Sequence, residues 1–375
     1  IHVPTLLLAA GADWVVKLPP QRRFFVRLSS PVKKMHVFPD FYHDLLHEKD
    51  RERPLARARE FILDAFLRPP TRPLLGKGGD GGNQAEYAQL AEPLPLLAPH
   101  RLYFGCLKLL LKTVGRLSDG IRLGWRRGFD SGESLDYVYA NTPRGITALG
   151  RLLDRIYLNS VGWRAIRQRK ANLEKLLGAA IEKVHAEGKP VRLLDIASGP
   201  GRYVLETLQT LSHLPVSAVL RDRDPVNLEM GRRLARELSV ANVTYVRGDA
   251  FDPASLATVT PPPTIAVVSG LYELFPDNDL IARSLGGLSA ALADGGYLIY
   301  TNQPVHPQVE LIARVLINRD GRPWVMRRRP QAEMDELVRA AGFEKLHMEI
   351  DEHGIFTVSV ARKRVETPMA AGRAA

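Results

Sequence analysis

Cysteine is nearly absent: one residue of 375, Cys106, carries a thiol. That excludes an internal disulfide and any metal site built from clustered cysteines. Ten histidines are present, but none has a ligand spacing, so no metal is expected. No apolar run reaches the ~20 residues needed to cross a bilayer. No secretory signal is visible, and the sequence contains no G-x-S-x-G. The 45% hydrophobic content fits globular structure, with one full domain and part of another. Acid falls short of base, but only locally. Residues 101–190 hold 17 Lys and Arg against 8 Asp and Glu, whereas residues 191–375 hold 21 against 22. A general nucleic-acid binder coated with positive charge is therefore not expected, and the excess points to one local basic surface.

The most informative stretch present is Leu193-Leu194-Asp195-Ile196-Ala197-Ser198-Gly199-Pro200-Gly201-Arg202-Tyr203. It reads as a buried strand that ends in an acid and turns through two glycines into a helix. Bare backbone and a helix N-terminus then lie beside a carboxylate at a sheet edge. Taken alone, the stretch leaves two other readings open. A Gly-Pro-Gly turn can join any strand and helix. A dinucleotide site is the second, although Val204 stands where that fingerprint needs a small residue and Asp195 would repel a pyrophosphate. A nucleotide-like ligand carrying positive charge suits the acid better.

Short apolar runs at 216–220, 243–246, 264–268 and 297–301 alternate with helical segments downstream. The first ends at Asp222, whose carboxylate can accept both hydroxyls of a ribose. Asp224, followed by Pro225, reads as a helix N-cap. The run at 243–246 is followed by Asp249 and Ala250, and that at 264–268 by Ser269-Gly270-Leu271-Tyr272-Glu273. Residues 331–341 have helical spacing with Gly342 at the C-terminal cap, and 343–350 with 355–361 form a closing hairpin. The series predicts an α/β fold, a parallel sheet covered on both faces with an antiparallel pair at its edge.

These residues resemble the class I S-adenosylmethionine-dependent methyltransferases over roughly residues 190–362. The first motif of that family is acid-x-Gly-x-Gly-x-Gly, and here Ala197 takes the first glycine's place, which removes freedom for positive φ. The resemblance implies a seven-stranded Rossmann-like sheet and S-adenosyl-L-methionine as cofactor. It implies that Asp195 holds the amino-acid end and that Ala197, Ser198, Gly199 and Gly201 bring backbone close. Asp222, with Arg223 beside it, would meet the ribose. Asp249 and Ala250 would meet the adenine, and Ser269 and Gly270 would pass beneath the transferred methyl group. Tyr272, Glu273 and His306 are candidate bases. The run at 264–268 is not followed by the Asn/Asp-Pro-Pro-aromatic tetrad of enzymes that methylate amino groups of nucleic-acid bases, so a nucleic-acid substrate is not favoured.

The first residues carry a second resemblance. Thr5-Leu6-Leu7-Leu8-Ala9-Ala10-Gly11-Ala12-Asp13, then a strand at 34–38 and Pro39-Asp40-Phe41-Tyr42-His43, look like the last part of an α/β-hydrolase of the monoglyceride-lipase and lysophospholipase sort. That implies Asp13 as the orienting acid and His43 as the general base, with a crossover helix at 21–28. In that fold the nucleophile precedes the acid, so this polypeptide is expected not to hydrolyse esters. Ile1 in place of an initiator Met favours a fragment over a degenerate hydrolase. The pairing is similar to bacterial proteins that fuse a hydrolase to a methyltransferase.

The expected organisation is a truncated α/β-hydrolase fragment at 1–68, a flexible Pro/Gly-rich linker at 69–100, and a basic helical extension or lid at 101–190. The methyltransferase domain then covers 191–363, with a disordered tail at 364–375. Leu107, Leu110, Leu111, Val114 and Leu117 share one helical face and Lys108, Lys112 and Arg116 another. Segment 102–127 can therefore lie on an anionic membrane or simply cover a core. Arg327-Arg328-Arg329 either meet a phosphate or carboxylate of the substrate or form a solvated charge run. The expected function is methyl transfer to a lipid-like or other small amphipathic substrate, in the cytoplasm, with peripheral contact at the inner membrane face and no obligate protein partner. A non-catalytic or membrane-docking module and a nucleic-acid methyltransferase are the alternatives.

Overall fold

The computed structural model describes residues 4–28, 30, 32–67 and 83–365. They belong to two compact units, Ile1–Gly76 and Lys77–Ala375. In the first unit, strands β1 (Thr5–Ala10) and β2 (Lys33–Phe38) run parallel, paired from Thr5↔Lys33 to Ala10↔Phe38. Helix α1 (Leu18–Arg27) makes the crossover, with proline in its first turn, and α2 (Glu52–Leu67) follows β2. Ala10, Phe38 and Phe41 form a small core.

The second unit opens with six helices: α3 (Gln84–Ala91), α4 (Pro99–Lys112), α5 (Asp119–Arg127), α6 (Gly132–Ala140), α7 (Ala148–Leu158) and α8 (Val161–Ala186). An alternating series follows: β3 (Val191–Ile196), α9 (Arg202–Thr210), β4 (Val216–Asp222), α10 (Pro225–Glu237), β5 (Val243–Arg247), α11 (Pro253–Ala257), β6 (Ile265–Val268), α12 (Asn278–Ala291) and β7 (Tyr297–Asn302). Helices α13 (Val309–Val315) and α14 (Gln331–Ala340) and the strands β8 (Phe343–Ile350) and β9 (Thr357–Lys363) complete it.

The seven strands lie in the order β5-β4-β3-β6-β7-β9-β8, with β9 antiparallel to both neighbours. This is the seven-stranded Rossmann-like sheet that the motifs implied. The closing hairpin forms the antiparallel edge, with β9 between β7 and β8. The strands read as continuous apolar runs because helices cover both faces. Leu194, Ile196, Leu220, Ile265 and Val267 are fully enclosed. Leu173, Leu177, Ile181 and Val184 of α8 share one core with Leu193, Leu220, Ile265 and Val267.

Two expectations need correction. Residues 69–82 lie outside the described residues, but 84–91 is helix, not linker. Leu90 is buried with Val309 and Ala313 of α13. Glu86 takes two hydrogen bonds from Arg328, at 2.8 and 2.7 Å. Asn83 Nδ2 donates to the Arg328 carbonyl at 2.6 Å. Proline and glycine nearby hid a helix whose partners are far along the chain. The amphipathic segment, in turn, is not one helix. It breaks at Thr113 into a turn of 3-10 helix (Val114–Leu117), and Ser118 caps α5 by accepting from the Ile121 N–H. Of the expected tail, 366–375 lies outside the described residues.

Candidate functional site

Strand order reverses at β3, whose neighbours β4 and β6 lead away in opposite directions; ligands in open α/β sheets bind at the carboxyl ends of strands at such a point. There β3 turns into α9 through Ala197–Gly201. Ser198 N–H donates to the Arg221 carbonyl and Gly201 N–H to the Ser198 carbonyl, each at 3.0 Å. Gly201 caps α9 at φ 76°, and a Cβ there would sit 2.1 Å from Leu220 Cδ2, so only glycine fits. Ala197 also adopts the left-handed region, at φ 53°. The loss of positive-φ freedom expected for an alanine is not observed; the residue is held there at a cost of about 1–2 kcal/mol.

Asp222 ends β4 and fastens this loop. Its Oδ2 accepts from Gly199 N–H at 2.9 Å, and its Oδ1 from Asp224 N–H at 2.8 Å and Asn227 Nδ2 at 3.2 Å. Asp224 caps α10 as the sequence implied. One cleft is walled by Ala197, Ser198, Gly199, Gly201, Asp222, Ser269 and Gly270. It continues into a second cleft, sharing Ala197 and Asp222, that adds Arg223, Asp249 and Ala250. Phe251 and Phe275, edge to face at 4.6 Å, line this second part.

Asp195 is placed elsewhere. It is fully buried beneath Tyr203, whose hydroxyl donates to its Oδ2 at 2.7 Å, and it lines neither cleft. Burial pushes its carboxyl well above the usual carboxylate range, opposed by that hydrogen bond and aided by the negative charge of Asp222. Tyr203 reaches the cleft instead. Two of the three strand-end carboxylates thus share a cleft, and the third supports it from behind.

Several residues here escaped sequence reasoning. Asp130 and Arg319 line both clefts, with Arg319 N–H 2.6 Å from Asp130 Oδ1. Burial raises the Asp130 pKa, and the Arg319 charge opposes the shift. Arg169 of α8 is enclosed, its Nη1 3.1 Å from Glu273 Oε1 and its Nη2 3.2 Å from Tyr139 Oη. Beyond Arg169 and Gly270 opens a cavity of about 160 Å³ lined by Phe129, Leu135, Trp163, Ile166, Glu273, Gln303, His306, Ile312, Trp324, Met326 and Phe356. Much of its wall comes from the long segment after β7.

The candidate bases separate cleanly. Tyr272 is buried with its hydroxyl 3.0 Å from Ser284 Oγ and lines no part of the cavity. His306 lines it, but its Nδ1 accepts from Gln308 N–H at 3.1 Å and burial drives its pKa down to about 4. Glu273 lines it with Oε2 unpaired. The arginine run fits neither expectation. Arg329 is fully buried and donates to the carbonyls of Tyr272 (2.9 Å) and Phe275 (3.0 Å), while Arg327 pairs with buried Glu333 at 2.7 Å. Arg329 stands just before α14, its Nε 3.8 Å from Glu333 Oε1, and no local sequence signal marks the pair.

In the first unit, Asp13 and His43 meet as implied, with His43 Nδ1 3.1 Å from Asp13 Oδ2. Asp13 Oδ1 accepts from Val15 and Val16 N–H at 2.8 and 2.9 Å. The Val16 hydrogen bond leads in holding its carboxyl below the usual range. Among the described residues no cluster of metal-ligating side chains occurs, and no helix is long and apolar enough to cross a membrane.

Residues 58–363 match a family described as "Putative methyltransferase". The chain belongs to that family. Residues 1–50 match a hydrolase family described as "Serine aminopeptidase, S33". The chain is 46% identical over 368 residues to "Uncharacterized protein YnbC" of Escherichia coli K12; the match covers 97% of this chain, which spans 63% of that protein's length. A solved structure titled a possible exported protein from Bordetella parapertussis shares the fold, with TM-score 0.53 at 19% identity over 76% of this chain and 94% of its own. Magnesium protoporphyrin IX methyltransferase from Synechocystis, solved with bound SAH, aligns at TM-score 0.44 and 12% identity over 64% of this chain and 97% of its own.

Proposed function

We propose that this chain transfers a methyl group from S-adenosyl-L-methionine to a lipid-like or other small amphipathic substrate. The observation that carries the reading is the cleft at the β3–β6 reversal, where a left-handed glycine loop is tied to the Asp222 carboxylate. The residues fit the cofactor on two counts. Asp222 and Asp249 line adjoining clefts and offer acceptors for hydroxyls and an amino group, and Ser269, which lines the first, has its Oγ buried without a partner. Asp222 would hold the ribose, Asp249 and Ala250 the adenine, and Ser269 with the loop backbone the amino-acid end. The bound cofactor supplies an electrophilic methyl group on a sulfonium. The protein's part is to align the acceptor, exclude water and manage a proton.

The apolar cavity next to the cleft supports an amphipathic acceptor. Leu102, Tyr103, Leu109 and Leu110 of α4 are exposed beside Lys108 and Lys112, which supports peripheral contact with an anionic membrane from the cytoplasmic side. The Asp13–His43 pair has no G-x-S-x-G serine in this polypeptide to activate, so we infer that the polypeptide hydrolyses no ester by itself.

Calorimetry with S-adenosylmethionine and with its demethylated product tests the central claim. Binding is expected for both, weakened about 10- to 100-fold in Asp222→Ala, since hydrogen bonds to a charged group contribute about 1.5–3 kcal/mol. Absence of heat with either ligand on the unaltered protein refutes it.

A further inference from the structure

Four residues that line the cavity beside the cleft each carry a buried polar atom that, among the described residues, has no partner: Arg169 Nε, Glu273 Oε2, Gln303 Nε2 and Trp324 Nε1. Each belongs to a residue more than nine-tenths enclosed. Leaving such an atom unpaired costs about 1–3 kcal/mol, so four around one apolar cavity mark a place that an incoming molecule completes. Elsewhere in the Arg169–Glu273 pair, Nη1 donates to Oε1 and Nη2 to Tyr139 Oη. One buried donor, Arg169 Nε, and one buried acceptor, Glu273 Oε2, are left without partners on two residues joined by that bond. Arg169 also lines the cofactor cleft, which puts the pair at the cavity end that faces the proposed methyl donor.

We propose that the acceptor is a neutral hydroxyl compound with an apolar body about the size of one aromatic ring, and that Glu273 removes its hydroxyl proton. This rests on the methyl-transfer reading above. A hydroxyl group can donate to Glu273 Oε2 and accept from Arg169 Nε at once. A carboxylate has no proton to give and sets a second anion beside Glu273. An ammonium has no lone pair for Arg169 and sets a second cation beside it. The pair is neutral in sum, and an ion added to apolar walls costs several kcal/mol. Size follows from volume, because an apolar cavity of about 150 Å³ accommodates benzene and this one has about 160 Å³. Trp163 and Trp324, stacked at 6.2 Å and 25°, and Phe356, 4.8 Å beneath the Arg169 guanidinium, offer aromatic faces. Gln303 and Trp324 present donors to a further oxygen on the same molecule.

The chemistry balances. Glu273 Oε2 takes the O–H proton, the oxygen lone pair forms the C–O bond, and the carbon–sulfur bond of the sulfonium donor breaks with its electron pair remaining on sulfur. The products are a methyl ether, a neutral thioether and a protonated Glu273 that passes its proton to water. Burial raises the Glu273 pKa, against the charges of Arg169 and Arg329 that face it, which brings it closer to a hydroxyl as a base.

Fluorine NMR on the full chain without cofactor reads the cavity alone. Saturable binding is expected for para-fluorophenol and para-fluorobenzyl alcohol, at least tenfold weaker binding for para-fluorobenzoate and para-fluorobenzylamine, and loss of all binding in the cavity-filling Ile312→Phe. Glu273→Gln should keep cofactor heat and hydroxyl-probe binding within tenfold, yet lose 10²- to 10⁴-fold in tritiated methyl transfer to the phenol. The acid limb of the rate against pH should vanish with it. Equal binding of benzoate, no saturable hydroxyl binding, or transfer undiminished in Glu273→Gln overturns the proposal while cofactor heat persists. Absent cofactor heat instead overturns the methyl-transfer reading, whatever the probes show.

Discussion

Two residues of one loop should respond to opposite substitutions with opposite signs. Gly201 sits at φ 76° and Ala197 at φ 53°, both in the left-handed region. Adding a methyl group in Gly201→Ala incurs about 1–2 kcal/mol of backbone strain. The new Cβ also falls 2.1 Å from Leu220 Cδ2, whose side chain is fully buried on β4 and has no room to retreat. Overpacking of that kind costs about 1–3 kcal/mol. The stiffer unfolded chain returns about 0.4–1 kcal/mol. The net is a loss of about 1–4.5 kcal/mol, or roughly 2–18 °C in melting temperature. Ala197→Gly removes the same strain with no clash to relieve, and the more flexible unfolded chain takes back about 0.4–1 kcal/mol. It should be neutral or stabilising by up to about 1.5 kcal/mol. Thermal and urea unfolding of both variants, with cofactor calorimetry to show that the cleft survives, gives the comparison. If Ala197→Gly destabilises by more than ~1 kcal/mol, or Gly201→Ala by less than ~0.5 kcal/mol, the strain argument for this loop fails.

Other sites give further tests. His306 is held neutral by burial, aided by the Arg328 charge, with its pKa lowered from 6.5 to about 4. The unfolded chain therefore binds this proton first, and stability should decline as pH falls from 6.5 toward 4, by on the order of 3 kcal/mol. His306→Gln should remove that part of the slope, and an unchanged slope would assign it to other groups. Glu333→Ala leaves Arg327 and Arg329 as buried cations without their carboxylate and should cost about 3–5 kcal/mol. Glu86→Ala, which frees the more exposed Arg328, should cost about 1 kcal/mol or less in the same urea titration. Equal losses would contradict the burial argument. Asp154, fully enclosed, accepts from Ser118 Oγ, Gly120 N–H, Tyr137 Oη and Arg144 N–H. Asp154→Ala should speed hydrogen exchange across 118–144 far more than in the sheet, and uniform acceleration would count against a local role.

What the sequence disclosed depends on how local each signal was. The strands β3 to β7 stood out because each is an apolar run enclosed on both faces, and their tips because turn residues follow directly. Asp222 was legible for that reason. Asp195 was misplaced because a strand-end acid looks the same whether it faces the cleft or, as here, hides behind a tyrosine eight residues later. Helix α3 was missed because what holds it, the burial of Leu90, the Glu86–Arg328 pair and the hydrogen bonds of Arg314 to the carbonyls of Gln89, Leu90 and Glu92, comes from residues more than 200 positions away. The charge count misled in a similar way. Arg164 pairs with Glu352, Lys170 with Glu206 and Lys175 with Glu349, each an acid of the domain that follows. The positive surplus of the helical extension is thus partly matched by those acids, which weakens the case for a nucleic-acid surface beyond what the sum alone suggested.

The same point bears on how the cavity keeps its shape. Its walls are apolar, but the turn that carries Glu273 is pinned by a cation. Arg329 reaches from the long segment after β7 to the carbonyls of Tyr272, Phe275 and Pro276 and to Asn278 Oδ1, four contacts between 2.8 and 3.3 Å. Burial lowers its pKa to about 10, which still leaves it charged at neutral pH. A lysine keeps the charge but is a point donor that cannot span three carbonyls, so Arg329→Lys tests the fork rather than the charge. Two lost charge-assisted hydrogen bonds correspond to about 3–6 kcal/mol before relaxation. The effect should be confined to the turn at 272–278. Binding of para-fluorophenol is expected to weaken at least tenfold, with cofactor affinity at the Asp222 cleft within about twofold of the unaltered protein. Parallel losses at both sites would mean that Arg329 supports the whole sheet edge, and that Glu273 owes its position to general stability rather than to this one guanidinium.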